Sequence, residues 1–473
     1  VTGVQTCALP ISRSLRLTAS ALWPTCQGEQ SGQSTKSVPS ISMSTVTTVR
    51  AESEALEARS AEPARRSGAR GAWPVAAFTI AMPVAYFLGL GAIVWLAPAV
   101  VLVGLLVRRS PIRWPVSVLP LVALVLWIPV TALSIHSAGS LSVFVYRWLL
   151  WVATAGAAVW LCNTSTRVLP TAHVVDRLAD LWIVFVGFGY LALLLPTVAV
   201  ASPFGRLLPG SLASNEFVSD LTIIRFAELQ RFVGGTVPRP AAPMIATNGW
   251  GSTLVILTPF FILSWLLAAD RRRRRIGWVL AAVAVPPFAV STNRGALLTL
   301  AIGLVYVAVR LAWRGDPRPL VGVTACAAVA VVIVVLTPLG GIVATRLDNS
   351  DASNATRESL YGLAWNRTER SPLVGYGEPV ANAPDPPIGT HGLVWYAMVA
   401  HGIPGLVLLL VALAALLIAS ARARTRTALW THAAILIAVL QAPFYGLLPQ
   451  IVVLGVAAGI CWREDHPELA AGG

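Results

Sequence analysis

Residues 346–391 read RLDNSDASNATRESLYGLAWNRTERSPLVGYGEPVANAPDPPIGTH, a polar stretch with Arg346, Arg357, Arg367 and Arg370 among six carboxylates. Guanidinium offers a planar fork of donors that matches phosphate oxygens, so these arginines point to binding of an anionic group. The competing reading is internal salt bridging to Asp348, Asp351, Glu358 and Glu369, and for any one arginine the two stand about even. Arg294, within STNRGALL, stands at the start of an apolar run, where its charge and the open N–H groups of a helix start would face an anion together. The alternative there is a side chain reaching out to lipid headgroups. Arg147 falls about two turns inside another apolar run. An unpaired charge at that depth costs at least ~2.5 kcal/mol, so it should face other helices or a wet cavity, where a structural partner and a ligand are equally plausible.

His391 ends the same polar stretch, after Pro384, Pro386, Pro387 and Gly389. A neutral imidazole at the edge of a membrane can accept a proton from a hydroxyl near neutral pH, although a plain interfacial histidine fits nearly as well. His401, ten residues on and inside an apolar run, reads as a packed core residue. Neither has Cys or acidic neighbours at ligand spacing, there is no CxxC, and Cys162, Cys326 and Cys461 lie in or beside apolar runs. No metal, cofactor or disulfide framework is expected.

The elements that would position these residues are set by hydropathy. The chain has 473 residues, 56% hydrophobic and 12% charged, with mean hydropathy +0.71. That excludes a single soluble domain. Apolar runs cover residues 73–89, 91–107, 115–135, 141–162, 179–199, 249–269, 276–291, 295–313, 319–340, 392–418, 428–446 and 449–462. A stretch of about 20 apolar residues spans a bilayer core as a helix, so the fold expected is an all-α polytopic membrane protein of about 12 transmembrane helices. A large external loop would then separate the ninth and tenth spans.

The net charge of +14 comes from arginines in short clusters between these runs, which excludes a nucleic-acid surface in favour of membrane orientation. The clusters at Arg65, Arg66 and Arg70, at Arg108, Arg109 and Arg113, at Arg167 and Arg177, at 271–275, at Arg314 and Arg318, and at Arg422, Arg424 and Arg426 all fall on one side. The positive-inside rule makes that side cytoplasmic and places both termini there, in the plasma (inner) membrane. Residues 200–248 and 341–391 are left outside. In the first, NEFVSDLTIIRFAELQRFVGG predicts one short surface helix capped by Asn215 and stopped by Gly234 and Gly235.

The first 11 residues back-translate to a sequence resembling a library-adapter oligonucleotide, so residues 1–42 read as an assembly artefact with Met43 a native start. Residues 43–71 lack the apolar content to order themselves and read as a disordered cytoplasmic tail; 72–463 form the membrane domain, and 464–473 a second cytoplasmic tail.

Three motifs carry a resemblance: STNRGALL (291–298), TRESLYGLAWNRTERSPLVGYG (356–377) and THGLVWYAMVAHGIPGL (390–406). Together they resemble the core of the O-antigen ligase and O-antigen polymerase family, over roughly residues 240–420. The upstream RPAAPMIATNGWGSTL, with Arg239, Asn248 and Trp250, is similar to the entry into the middle span of bacterial polysaccharide polymerases. The resemblance implies a membrane glycosyltransferase that uses an undecaprenyl- or other polyprenyl-diphosphate glycan as donor and a glycan, lipid or protein as acceptor. It implies that Arg294 and Arg357 handle the diphosphate, that Pro372, Leu373, Gly375 and Gly377 form the turn closing the loop, and that His391 acts at the acceptor. Arg346, Arg367, Arg370, Arg239, Asn248 and Arg147 are the remaining candidates for substrate binding. Gly392 follows His391 where the family usually has Asn.

The chemistry is self-consistent. A sugar on a diphosphate is already activated, so cations for the leaving group and a held acceptor hydroxyl suffice without a metal, with inversion. The rival from another class is a lipid-linked oligosaccharide flippase, which would place its charges near midplane and show repeat symmetry. A cell-wall transglycosylase of the shape-and-division class would share the architecture, but its motifs are not found.

Overall fold

The computed structural model describes residues 73–471 except 108–110, 214, 233–234, 326–327, 329–349 and 383–384. All of them belong to one compact unit, Ser60–Gly473. The expectations for residues 1–72, and Arg346 and most of the ninth apolar run, lie outside the described residues.

The fold is mostly helical: α1 (Trp73–Leu88), α2 (Ala97–Val107), α3 (Leu119–Trp127, extended by 3-10 turns to Val116–Ser134), α4 (Ala138–Asn163) and α5 (Thr171–Leu194) come first. A β-containing segment follows, with β1 (Ala199–Ala201), α6 (Glu216–Thr222), β2 (Ile223–Arg225), β3 (Ala227–Phe232) and β4 (Gly235–Pro240). Then come α7 (Thr247–Phe261), α8 (Arg271–Ser291), α9 (Arg294–Ala312) and α10 (Ser350–Arg370). Short strands β5 (Val380–Asn382) and β6 (Asp385–Ile388) lead to α11 (Leu393–Ser420), α12 (Arg426–Gln441) and α13 (Val452–Asp465). The strands form three two-stranded antiparallel ribbons, β1–β2, β3–β4 and β5–β6.

Every apolar run except the ninth falls on a described helix. Six helices among the described residues are long and apolar enough to cross a membrane: Val116–Ser134, Ala138–Asn163, Thr171–Leu194, Thr247–Leu266, Arg294–Ala312 and Leu393–Ser420. Five further runs form helices that fall short by that measure. Large apolar side chains stand on the outside, among them Val100, Leu126, Leu194, Leu298 and Ile418 at 62–72% exposure, as a lipid-facing surface requires.

Several boundaries differ from the sequence reading by a few residues, most at the fifth span and the outer helix. The fifth span begins at Thr171 rather than 179, because its polar first turns are satisfied: Arg273 Nη2 meets Asp176 Oδ1 at 2.7 Å, and Ser264 Oγ donates to the same oxygen at 2.6 Å. It stops ahead of Pro196, which cannot continue a helix. The single surface helix expected over 215–233 is only Glu216–Thr222. Asn215 does cap it, its side chain accepting from Val218 N at 3.2 Å, but Thr222, Ile223 and Ile224 are β-branched and the chain turns to strand. Ile223 and Ile224 pair with Ala201 and Val200, and Ala227–Phe232 forms a ribbon with Gly235–Pro240.

Small residues let the helices close. The α4–α13 interface brings Gly455 and Gly459 against Thr154 and Leu161, with no space for a Cβ at either glycine. Such small-xxx-small faces supply close packing where lipid removes the hydrophobic drive between helices. At that same end Arg463 is fully buried and donates to the carbonyls of Leu161, Thr164 and Leu169, fixing the C-terminus of α4. The segment after α13 also folds onto this end, with Thr166 N donating to Ala470 O at 2.8 Å and Arg113 Nη1 to Leu469 O at 2.8 Å.

Arginines of the clusters among the described residues meet through this end of the bundle. Arg113 N binds Asn163 Oδ1 at 2.7 Å, Arg310 reaches Ala421 O at 3.1 Å, and Arg314 binds the carbonyls of Ala423 and Arg424. The opposite ends of α4 and α11 hold Arg147 and Tyr396, and the β-containing segment lies with them.

Candidate functional site

At that second end a cavity of about 370 Å³ opens between α1, α4, α6, β2, α7 and the segments before α11 and α13. Its lining includes Arg147, Asp220, Arg225, Asn248 and His391, set among Tyr86, Trp95, Tyr146, Phe217, Tyr396, Phe444 and Tyr445. Three of the nine sequence candidates, Arg147, Asn248 and His391, are therefore brought together.

Arg147 is half-buried between two rings, 4.6 Å from the centroid of Phe217 and 5.4 Å from that of Tyr396. Aromatic faces hold a guanidinium by charge–quadrupole attraction, Tyr396 also shares a side-chain hydrogen bond with Arg147, and the arginine remains part of the cavity lining. This answers why the charge is tolerated inside a helix: it faces the bundle and a cavity, not lipid.

His391 lies in the turn before α11. Thr390 gives its one hydroxyl proton to Pro387 O at 2.8 Å, so at 3.2 Å from His391 Nδ1 it can only accept. A neutral ring that donates from Nδ1 to Thr390 would carry its lone pair on Nε2. The first N–H groups of α11 are already taken, Leu393 N by Tyr445 O at 2.9 Å and Val394 N by Ala442 O at 3.2 Å. His401 is buried, as expected, with Nδ1 on Thr131 Oγ1 at 3.0 Å and its ring edge-on to Tyr396 at 5.4 Å.

The STNRG turn is built by its own polar residues. Thr292 sits in the left-handed region at φ 51, Ser291 Oγ donates to Phe288 O at 2.6 Å, and Asn293 Nδ2 donates to Thr247 O at 3.4 Å. Tyr445 OH donates to Asn293 Oδ1, passing over Gly295, where a Cβ would strike its ring. Arg294 is the exposed member of the turn and does not line the cavity, although its neighbour Asn293 touches the cavity wall through Tyr445. Tyr445 thus joins three things: the Arg294 turn, the start of α11 and the cavity. Arg239 is spent on structure, with Nε on Ser291 O at 2.8 Å and a second donor on Gln230 Oε1. Its cross-strand neighbour Glu228 caps α7, accepting from Thr247 N at 3.1 Å.

Arg357 lies on α10; its side chain is outside the described residues. Its backbone level is defined: Tyr361 stacks on Trp395 at 4.2 Å, and Ala364 joins Met398 and Val399 in one buried cluster, so α10 runs alongside α11 in the same direction. Arg357 precedes Tyr361 by the interval at which His391 precedes Trp395. Arg367 and Arg370 lie further along α10, beside the turn to α11, and do not line the cavity. Of the carboxylates expected to bridge them, Glu369 instead accepts from Trp365 Nε1 at 2.7 Å.

The SPLVGYG turn docks into a break in α11. Gly402 is non-helical at φ 68, and Pro404 follows. The freed carbonyls of Val399, Ala400 and His401 accept from Tyr376 N at 3.0 Å, Gly377 N at 2.8 Å and Trp127 Nε1 at 3.0 Å, while Ile403 N donates to Pro372 O at 2.7 Å. Irregular backbone inside a membrane bundle is tolerated where protein supplies such partners.

Residues 288–410 match the O-antigen ligase family. The resemblance drawn from the three motifs is borne out, and the matched span holds Arg294, Arg357, the SPLVGYG turn and His391. It is narrower than the 240–420 read from sequence, and leaves out Arg239 and Asn248. No curated protein matches the chain. The matched span therefore supplies one wall of the cavity, while Arg147, Asn248, Asp220, Arg225 and Tyr445 come from outside it.

Proposed function

We propose that the protein is a plasma-membrane glycosyltransferase of the O-antigen ligase or polymerase type, moving a glycan from a polyprenyl-diphosphate donor to an acceptor hydroxyl on the outer face. The observation that carries this reading is the cavity that joins His391 of the O-antigen ligase domain to the aromatic-held Arg147. The acceptor O–H gives its proton to His391 Nε2, and its oxygen attacks the anomeric carbon from the face opposite the diphosphate. The bond from that carbon to the phosphate oxygen breaks, and its electron pair leaves with polyprenyl diphosphate. Arg147, with Arg294 and Arg357 by resemblance, offsets the charge that develops there. Inversion follows from a single displacement, and arginine supplies the charge that a metal would otherwise provide.

The experiment is transfer by the purified protein in EDTA, using lipid-linked glycan extracted from its host membranes. Equimolar release of polyprenyl diphosphate with glycan transfer is expected. Movement of the intact donor across a vesicle bilayer, with no diphosphate released, would favour the flippase reading instead.

A further inference from the structure

The cavity carries a carboxylate that diphosphate chemistry does not need. Asp220 and Arg225 both line it, with Arg225 Nη2 at 3.3 Å from Asp220 Oδ1 and each side chain about a third exposed, 36% and 37%. A carboxylate opposes a bound diphosphate, so its place in the wall marks a part of the cavity meant for a different portion of the substrate.

The segment bearing the pair is held rigidly. Tyr86 OH donates to Arg225 O at 2.7 Å and accepts from Arg225 N at 3.1 Å, and Asn215 caps the helix that carries Asp220. Phe217 and Asp220 are three residues apart on α6 and so share a face. Phe217 covers Arg147, which places Asp220 beside whatever is attached to an anion held there. The pair presents a carboxylate acceptor next to guanidinium donors, with the rings of Tyr86 and Tyr146 in the same lining. Paired acceptor and donor groups hydrogen-bond neighbouring hydroxyls, and aromatic faces pack on the C–H face of a sugar ring.

We propose that Asp220 and Arg225 form a subsite that recognises the hydroxyls of the uncharged sugar joined directly to the donor diphosphate. This rests on the glycosyl-transfer reading and adds to it the residues that select the sugar. They lie outside the matched O-antigen ligase domain.

The test is equilibrium binding to the purified full-length protein, followed by the fluorescence of its tryptophans, with two probes: lipid-linked glycan extracted from the host and sugar-free undecaprenyl diphosphate. Asp220→Asn should weaken binding of the glycan-bearing lipid by about tenfold and leave undecaprenyl diphosphate unchanged or bound more tightly. Arg225→Lys, which keeps the charge and the partner but loses the planar fork, should show the same selective loss. Equal weakening of both probes would make the pair structural, and unchanged glycan-lipid binding in both variants would also overturn the proposal. Because binding is measured rather than turnover, a protein that binds both lipids but transfers nothing would refute the transfer reading while this subsite is still decided.

Discussion

Tyr445 shows how much of the site depends on one hydroxyl. Its phenol holds Asn293, its carbonyl holds the first N–H of α11, and its ring forms cavity wall. Tyr445→Phe keeps the ring and leaves the buried Asn293 Oδ1 without that donor, a cost of about 1–3 kcal/mol. If the bond also sets the Arg294 turn against His391, kcat should fall roughly tenfold with donor KM little changed; unaltered kcat with a lowered melting temperature would make the residue purely structural. Arg147 was legible in the sequence because a charge inside an apolar run is conspicuous by its cost, His391 by its place at the start of such a run and by the family motif, and Asn248 by the motif alone. Tyr445, Asp220 and Arg225 were not. Tyr445 lies 152 residues from Asn293, and no local pattern announces such a pairing. Arg239 was picked out by the same motif as Asn248, yet it donates to Ser291 and Gln230.

At the level of elements, hydropathy located the helices well because lipid demands internally bonded apolar runs. It failed where polar turns are satisfied by a neighbour, as at the start of α5, and where β-branched residues end a helix early, as in α6. It could not reveal that α11 is two helices joined at Gly402, since the run is apolar throughout. There the φ of 68 with ψ of −173 belongs to a region that is essentially glycine-only, and a Cβ would strike the carbonyl of Leu373. Gly402→Ala should therefore destabilise the protein by about 1–3 kcal/mol and loosen the Pro372–Gly377 turn. Thermal unfolding in detergent together with protease sensitivity near residue 374 would measure both; a variant of unchanged melting temperature and unchanged cleavage would show that the turn does not depend on the break.

For the whole molecule, the arginine clusters among the described residues gather at one end and the cavity opens at the other; the positive-inside rule then predicts that the cavity faces outward. With native cysteines removed, a cysteine at Leu207, which is 81% exposed, should react with an impermeant maleimide on intact cells, and one at Arg275 only after permeabilisation. Equal labelling at the two positions would overturn the orientation. In the proposed function the donor is consumed on that outward face, with His391 acting at the acceptor. The most direct measurement is the rate of glycan transfer by purified His391→Ala against the unaltered protein, with the extracted lipid-linked donor and excess EDTA, and with donor binding followed in parallel. Loss of a general base predicts a rate at least ~100-fold lower with donor affinity retained, and EDTA without effect on the unaltered protein. A His391→Ala enzyme that transfers glycan at a near-normal rate, or activity that vanishes in EDTA and returns with a divalent ion, would contradict it.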